Sequence, residues 1–178
     1  SLKKFKEKVI NDFRTISLSR EISVQGRREV LLGKGKFGIF GDGKELPQIV
    51  MSHFFKKGDY RSGYYRDQTI LMSQDLLSAR EIFAALYGHP DKVYERMSGG
   101  RQMSGHFLTN TVDEEGNWID QTKKKNHISD VSPTASQMSR LVGLGLASKI
   151  YRNNRVDNSD KFSNNGNEIV WGTIGNAS

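Results

Sequence analysis

Three short stretches of this chain have residue types suited to chemistry. The last of them runs from Glu168 to Ser178. It opens with an apolar, β-branched run and breaks into Gly175-Asn176-Ala177-Ser178. A buried strand followed by such a turn is where α/β proteins hold phosphates and metal ions, because free backbone N–H groups and a helix dipole point there. Tyr65-Arg66 is the second, since a guanidinium donates in a fork matched to phosphate oxygens. The same pair equally suits a surface arginine beside a half-buried tyrosine. The third is His106, flanked by Gly105 in a polar loop, and the best acid–base candidate of the four histidines. A hydrogen-bonded structural histidine is the competing reading. His53, His89 and His127 show no ligand spacing. Asn176-Ala177-Ser178 also forms an N-glycosylation sequon, which is read as chance.

The elements that must position these residues follow from periodicity. Phe5, Val9, Phe13 and Ile16 recur at helical spacing from Lys3 to about Leu32, with Gly26 a point of interruption. The glycine-rich Gly33 to Gly43 contains a formal G-x-G-x-x-G, but a helix precedes it where a dinucleotide fingerprint needs a strand, so it reads as a connection. Lys44 to Phe55 is a second helix, and Tyr60 to Asp67 a polar, aromatic segment. A helical stretch runs from Ile70 to Leu77. Ser78 and Glu81 form a capping-box signature for the next helix, which stops at Gly88. Ser132-Pro133 reads as N-cap and first position of a helix through Ile150. That helix is apolar around much of its girth and is expected to be the most buried. Asn153 to Asn167 is an exposed loop, and the terminal strand is expected to be buried on both faces.

The 178 residues suffice for one domain with a core and a small second unit. No run approaches a membrane span or a signal peptide, so no membrane association is expected. The absence of cysteine excludes disulfides and thiolate metal sites and fits a cytoplasmic location. The net charge of +7 sits largely in lysine runs that read as solvated faces. A basic groove with interleaved aromatics is missing, so no nucleic acid is expected as partner.

Taken in order, the loops resemble one family. Gly43-Lys44-Glu45, Lys57-Gly58-Asp59, Tyr64-Tyr65-Arg66-Asp67, Leu86-Tyr87-Gly88, Gly100-Arg101-Gln102-Met103, His106, Ser132-Pro133-Thr134-Ala135-Ser136-Gln137 and Gly175-Asn176-Ala177-Ser178 resemble successive segments of one subunit type. It is the N-terminal part of the α subunit of the thiamine diphosphate-dependent decarboxylating component of 2-oxo acid dehydrogenase complexes. The Gly-Arg-Gln-Met loop is closer to the branched-chain branch than to the pyruvate branch.

The resemblance implies a helix-rich α/β fold, the N-terminal part of a thiamine diphosphate-binding fold with only the first strand or strands of its parallel sheet. It divides the chain into a helical region over 1–130 and the start of an incomplete α/β domain over 131–178. It implies oxidative decarboxylation of a branched-chain 2-oxo acid, with the acyl group passed to a lipoyl domain. Tyr65 and Arg66 match the pair that holds the diphosphate, Tyr64 is a further cofactor-binding position, and Ser132 and Thr134 match positions that contact the aminopyrimidine. Thr134 stands where the family usually has an aliphatic side chain. Gly175, Asn176 and Ala177 match the start of the cofactor motif, with Asn176 at the Mg²⁺ ligand position that is normally an acid. Val131 to Gln137 matches a segment that binds K⁺ in branched-chain members. The implied partners are a β subunit or β-like half in a homo- or hetero-oligomer, and the lipoyl domain. The motif's second half lies beyond Ser178, so this chain alone is expected to be inactive. The alternatives are the same chemistry on pyruvate or another 2-oxo acid, and a non-catalytic basic helical binding module.

Overall fold

The computed structural model describes residues 1–103 and 105–175. Contacts divide them into two units, Ser1–Phe54 with Tyr65–Gly105, and Phe55–Tyr64 with the chain from His106 onward.

The first unit is helical. Helix α1 (Leu2–Leu31) runs unbroken through Gly26, which therefore does not interrupt it. The ring of Phe40 lies so close that a Cβ on Gly26 would come within 2.3 Å of it, so the glycine serves contact rather than a bend. Helices α2 (Glu45–Phe54), α3 (Gln68–Met72) and α4 (Ala79–Tyr87) pack on α1. Their core holds Ile22, Ile49, Ile70, Leu71, Leu77, Ile82 and Leu86. The Ser78–Glu81 capping box is present, and Gly88 ends α4 in the left-handed region at φ 65°. Polar ties lock α3 in place. The Gln68 amide donates to the Ser19 carbonyl and to the Ser19 and Ser23 hydroxyls, each at 3.0 Å. Glu45 takes both hydrogen bonds of Arg20, at 2.7 and 2.8 Å, and this bidentate donation holds the carboxyl below the usual range.

The second unit is a three-stranded parallel sheet in the order β2-β1-β3, with α5 (Ser136–Asn153) against it. Strand β1 is Tyr60–Tyr64, β2 is Asn126–Val131 and β3 is Val170–Gly172. This mixture of helices with a small parallel sheet is compatible with a partial α/β fold. Asp59 joins β3 to the start of β1. Its carboxylate accepts from the Ile169 N–H at 2.9 Å and the Trp171 Nε1–H at 3.0 Å.

Four expectations require correction here. The polar segment Tyr60 to Asp67 contains the central strand of the sheet. The terminal strand does pair, with β1, but as an edge strand of three residues that are half-buried or exposed. One neighbour and one covering helix cannot enclose both of its faces. The helix that follows β2 begins at Ser136, not at Pro133. Residues 132–135 form a turn in which Ala135 is left-handed (φ 63°) and the Ser136 N–H donates to the Pro133 carbonyl at 3.2 Å. Finally, α5 buries only Gln137 fully. Val142, Leu146 and Ile150 are exposed, and nothing lies within 4 Å of a Cβ built on Gly143 or Gly145. A three-stranded sheet covers one side of a helix, and no other described element covers the rest. Among the described residues, no helix is long and apolar enough to cross a membrane.

Candidate functional site

Tyr65 and Arg66 belong to the helical unit and immediately precede α3. Both are half-buried. The guanidinium lies over the Tyr65 ring, 5.1 Å from its centroid, a cation–π arrangement that orders a side chain with many rotamers. Their backbone is clamped from two sides. The Gln48 amide donates to the Arg66 carbonyl at 3.1 Å, and its oxygen accepts from the Ile70 N–H at 3.1 Å. Gly41 presses on the same carbonyl, where a Cβ would come within 2.4 Å of the oxygen. Gly105, at φ +86°, presses on the Tyr65 carbonyl in the same way, at 2.8 Å. Gly41→Ala is therefore expected to cost about 1–3 kcal/mol. The readout is a lower urea midpoint at unchanged m value, and an unaltered midpoint would mean that the loop gives way freely.

The remaining site residues described belong to the sheet unit. Its parallel strands end at Tyr64, Val131 and Gly172, so the segments after β2 and β3 emerge at one carboxyl edge, where open α/β sheets bind ligands. Tyr64 itself is buried at 5% exposure and pairs with Val131. Ser132 directly follows β2, and its hydroxyl lies 2.5 Å from His106 Nε2. The two are half-buried, an arrangement that can pass a proton between imidazole and hydroxyl. Thr134, in the turn that follows, is exposed. The Gln137 amide donates to the Thr173 carbonyl at 2.6 Å, which ties the start of α5 to the segment that leads into half-buried Gly175. Asn176 and Ala177 lie outside the described residues. Tyr65 and Arg66 thus fall in one unit, and Tyr64, His106, Ser132, Thr134 and Gly175 in the other.

A cluster that the sequence did not announce lies beneath this edge. Arg61, on central β1, has 0% exposure. Its Nε donates to His127 Nδ1 at 2.8 Å, and an Nη donates to Asp130 Oδ1 at 2.9 Å. Burial, followed by the charge of Arg61 and then those of Lys125 and Lys124, pushes the His127 pKa from 6.5 down to about 2. His127 is thus a neutral acceptor, placed edge-on to Phe55 with ring centroids 5.0 Å apart. The cluster holds the end of β2, and with it the segment that carries Ser132.

Two observations bear on cofactor and ion chemistry. The Tyr65–Arg66 pair supplies the donor types that a diphosphate needs. Gln137 Oε1 is a buried acceptor with no hydrogen-bond partner among the described residues, and a carbonyl-type oxygen of this kind can serve as a ligand for a hard cation. Among the described residues, no group of three or more His, Asp or Glu side chains is placed to hold a metal ion.

No family model matches the chain. A search of curated proteins finds the 2-oxoisovalerate dehydrogenase subunit alpha of Bacillus subtilis (strain 168), 26% identical over 145 residues. The match covers 81% of this chain and 39% of that protein, so the chain spans well under half the length of the relative. The likeness supports a distant relationship to the α subunit of a 2-oxo acid dehydrogenase.

Proposed function

We propose that this chain is the N-terminal part of an α-type subunit of a 2-oxo acid dehydrogenase, acting in full-length form on a branched-chain 2-oxo acid. The observation that carries the reading is the likeness to a 2-oxoisovalerate dehydrogenase α subunit across 81% of the chain. The ordered loops that match the family support it. Thiamine diphosphate, when bound, supplies the carbon nucleophile that adds to the 2-oxo group and takes up the electron pair released on decarboxylation.

This chain's own residues would bind and orient. Tyr65 and Arg66 hold the diphosphate through a phenol hydroxyl and a guanidinium already stacked together. Ser132 and Thr134 line the aminopyrimidine, and Thr134 offers a hydroxyl where an apolar contact usually supports the bent cofactor. His106, hydrogen-bonded to Ser132, exchanges protons at Nε2. Asn176 supplies a neutral oxygen to Mg²⁺, which leaves the ion's charge less compensated than a carboxylate would. K⁺ fits the buried Gln137 Oε1. A β subunit or β-like half would contribute the remaining groups, and a lipoyl domain would accept the acyl group.

Calorimetric titration of thiamine diphosphate with Mg²⁺ tests the reading, with this chain and the full-length gene product run side by side. Tight binding is expected to the full product and weak or no binding to this chain. Arg66→Ala in the full product is expected to weaken binding by at least ~10-fold, in line with the loss of a charge-assisted hydrogen bond. Absence of binding to either protein would overturn the proposal, as would an Arg66→Ala variant that binds as tightly as the parent.

A further inference from the structure

The N-terminal half of α1 is turned away from the rest of its unit. Residues 1–11 are all exposed, and the first buried side chain of the helix is Ser19. The exposed half is far from uniformly polar. Leu2, Phe5, Val9, Ile10 and Phe13 are exposed, and Leu2, Phe5, Val9, Phe13 and half-buried Ile16 fall within about 80° of arc at 3.6 residues per turn. The four exposed side chains of the stripe, two of them Phe, present roughly 400 Å² of apolar surface, within the range of the largest patch that a monomer ordinarily shows.

The spacing of this stripe has a symmetry of its own. From Leu2 to Ile16 the steps are three, four, four and three residues, so the stripe reads the same in both directions about Val9. Two such helices laid antiparallel put Val9 against Val9, Phe5 against Phe13 and Leu2 against Ile16. Every apolar residue of the stripe then meets another. The charges agree with the same orientation. Lys3, Lys4, Lys6 and Lys8 crowd the first turns, and a parallel pair would stack them on one another. The antiparallel pair separates them and brings Lys8 to the side of the seam that carries Asp12 of the other copy. Asp12 already faces His53 at 3.1 Å, so its carboxylate is held in place. A pair buries about 800 Å² in total, the size of a weak, transient interface.

We propose that this stripe is the docking surface for a second copy of the same chain, an antiparallel α1–α1 pair with Val9 on the dyad. The inference is independent of the dehydrogenase reading, since it rests on α1 alone. It fits a weak, reversible homodimer.

Sedimentation velocity of the chain over a range of micromolar concentrations should show a monomer–dimer equilibrium. Val9→Asp, on a turn whose residues are all exposed, should weaken it at least ~30-fold, the scale of a central interface residue. The absence of cysteine allows a sharper test. Val9→Cys should form a disulfide-linked dimer on mild oxidation. Leu2→Cys should not, because Leu2 lies level with Ile16 of the other copy, about 21 Å along the axis from its own symmetry mate. A chain that stays monomeric would overturn the proposal. Equal cross-linking of the two variants, or a Val9→Asp dimer as tight as the parent, would do the same. So would a monomer that co-sediments with phosphatidylglycerol vesicles, since the stripe would then be a lipid-binding face.

Discussion

Replacing Asp130 with alanine is expected to destabilise the sheet unit by roughly 3–5 kcal/mol. The effect would be among the largest available to a single substitution in this chain. Arg61 and Asp130 are both buried on neighbouring strands, at 0% and 2% exposure. Without the carboxylate, the buried guanidinium would lose its ion-pair partner Asp130 in an environment that penalises charge heavily, and the His127 imidazole beside it is a neutral acceptor that brings no compensating charge. The cost comes less from the lost hydrogen bond than from the charge left behind. A variant that removes both charges, Arg61→Met with Asp130→Leu, should therefore be considerably more stable than Asp130→Ala alone. Urea unfolding followed by the fluorescence of Trp118 and Trp171, both in this unit, reports on it, and the Trp171 indole is bonded to Asp59. A loss below about 1 kcal/mol for Asp130→Ala would show that water reaches Arg61.

The second large effect depends on pH. The pKa of His127 is depressed in the folded chain, from 6.5 to about 2, so the unfolded chain binds a proton that the folded chain refuses. Above pH 6.5 both forms are neutral and the stability is fully present. As the pH falls below that value, stability is lost at up to about 1.4 kcal/mol per pH unit, and the loss continues towards pH 2. His127→Asn places a non-titrating carbonyl oxygen where Nδ1 accepts from Arg61. The variant should be weaker at neutral pH, because it loses the ring contact with Phe55, but flatter between pH 6.5 and 4. Urea midpoints measured across that interval compare the two slopes. Parallel slopes would mean that the acid response belongs to other groups.

The helices of the first unit were open to reading because their cues are local. Heptad-like spacing marks α1, and Ser78 with Glu81 marks the start of α4, each within a few residues of the feature it specifies. Strand β1 carries no such mark. Tyr60-Arg61-Ser62-Gly63-Tyr64 has neither alternation nor an apolar run, because its buried positions are filled by an ion cluster whose partners lie 66 and 69 residues further on. Gly63 belongs to the same arrangement, since a Cβ there would come within 1.5 Å of an Arg61 Nη. The exposure of α5 escaped for the opposite reason. Its composition resembles that of a fully enclosed helix, while the number of elements around it is a tertiary fact. At the site, His106 was legible as a glycine-flanked histidine, but its Ser132 partner, 26 residues away, came only with the fold. Gln137 lay inside a noted motif, but its burial and its oxygen unpaired among the described residues came only with the fold.

The order of the sheet also sets a clock. Strand β1 is central, yet both of its neighbours come later in the chain, and Asp59 meets Ile169 across 110 residues. At ribosomal rates of about 5–20 residues per second, roughly 5–20 s pass between synthesis of β1 and of the strand that flanks it on the far side. Until β2 emerges, 66 to 69 residues after Arg61, Arg61 stays solvated while the helical segments before and after β1 in the chain can pack locally, and the second edge of β1 stays open until β3 follows. Long-range closure of this kind is intrinsically slow. A nascent chain therefore carries its future centre as an exposed, charged ribbon, and the arginine that is costly to leave unpaired in the finished sheet keeps that ribbon soluble until its partners emerge.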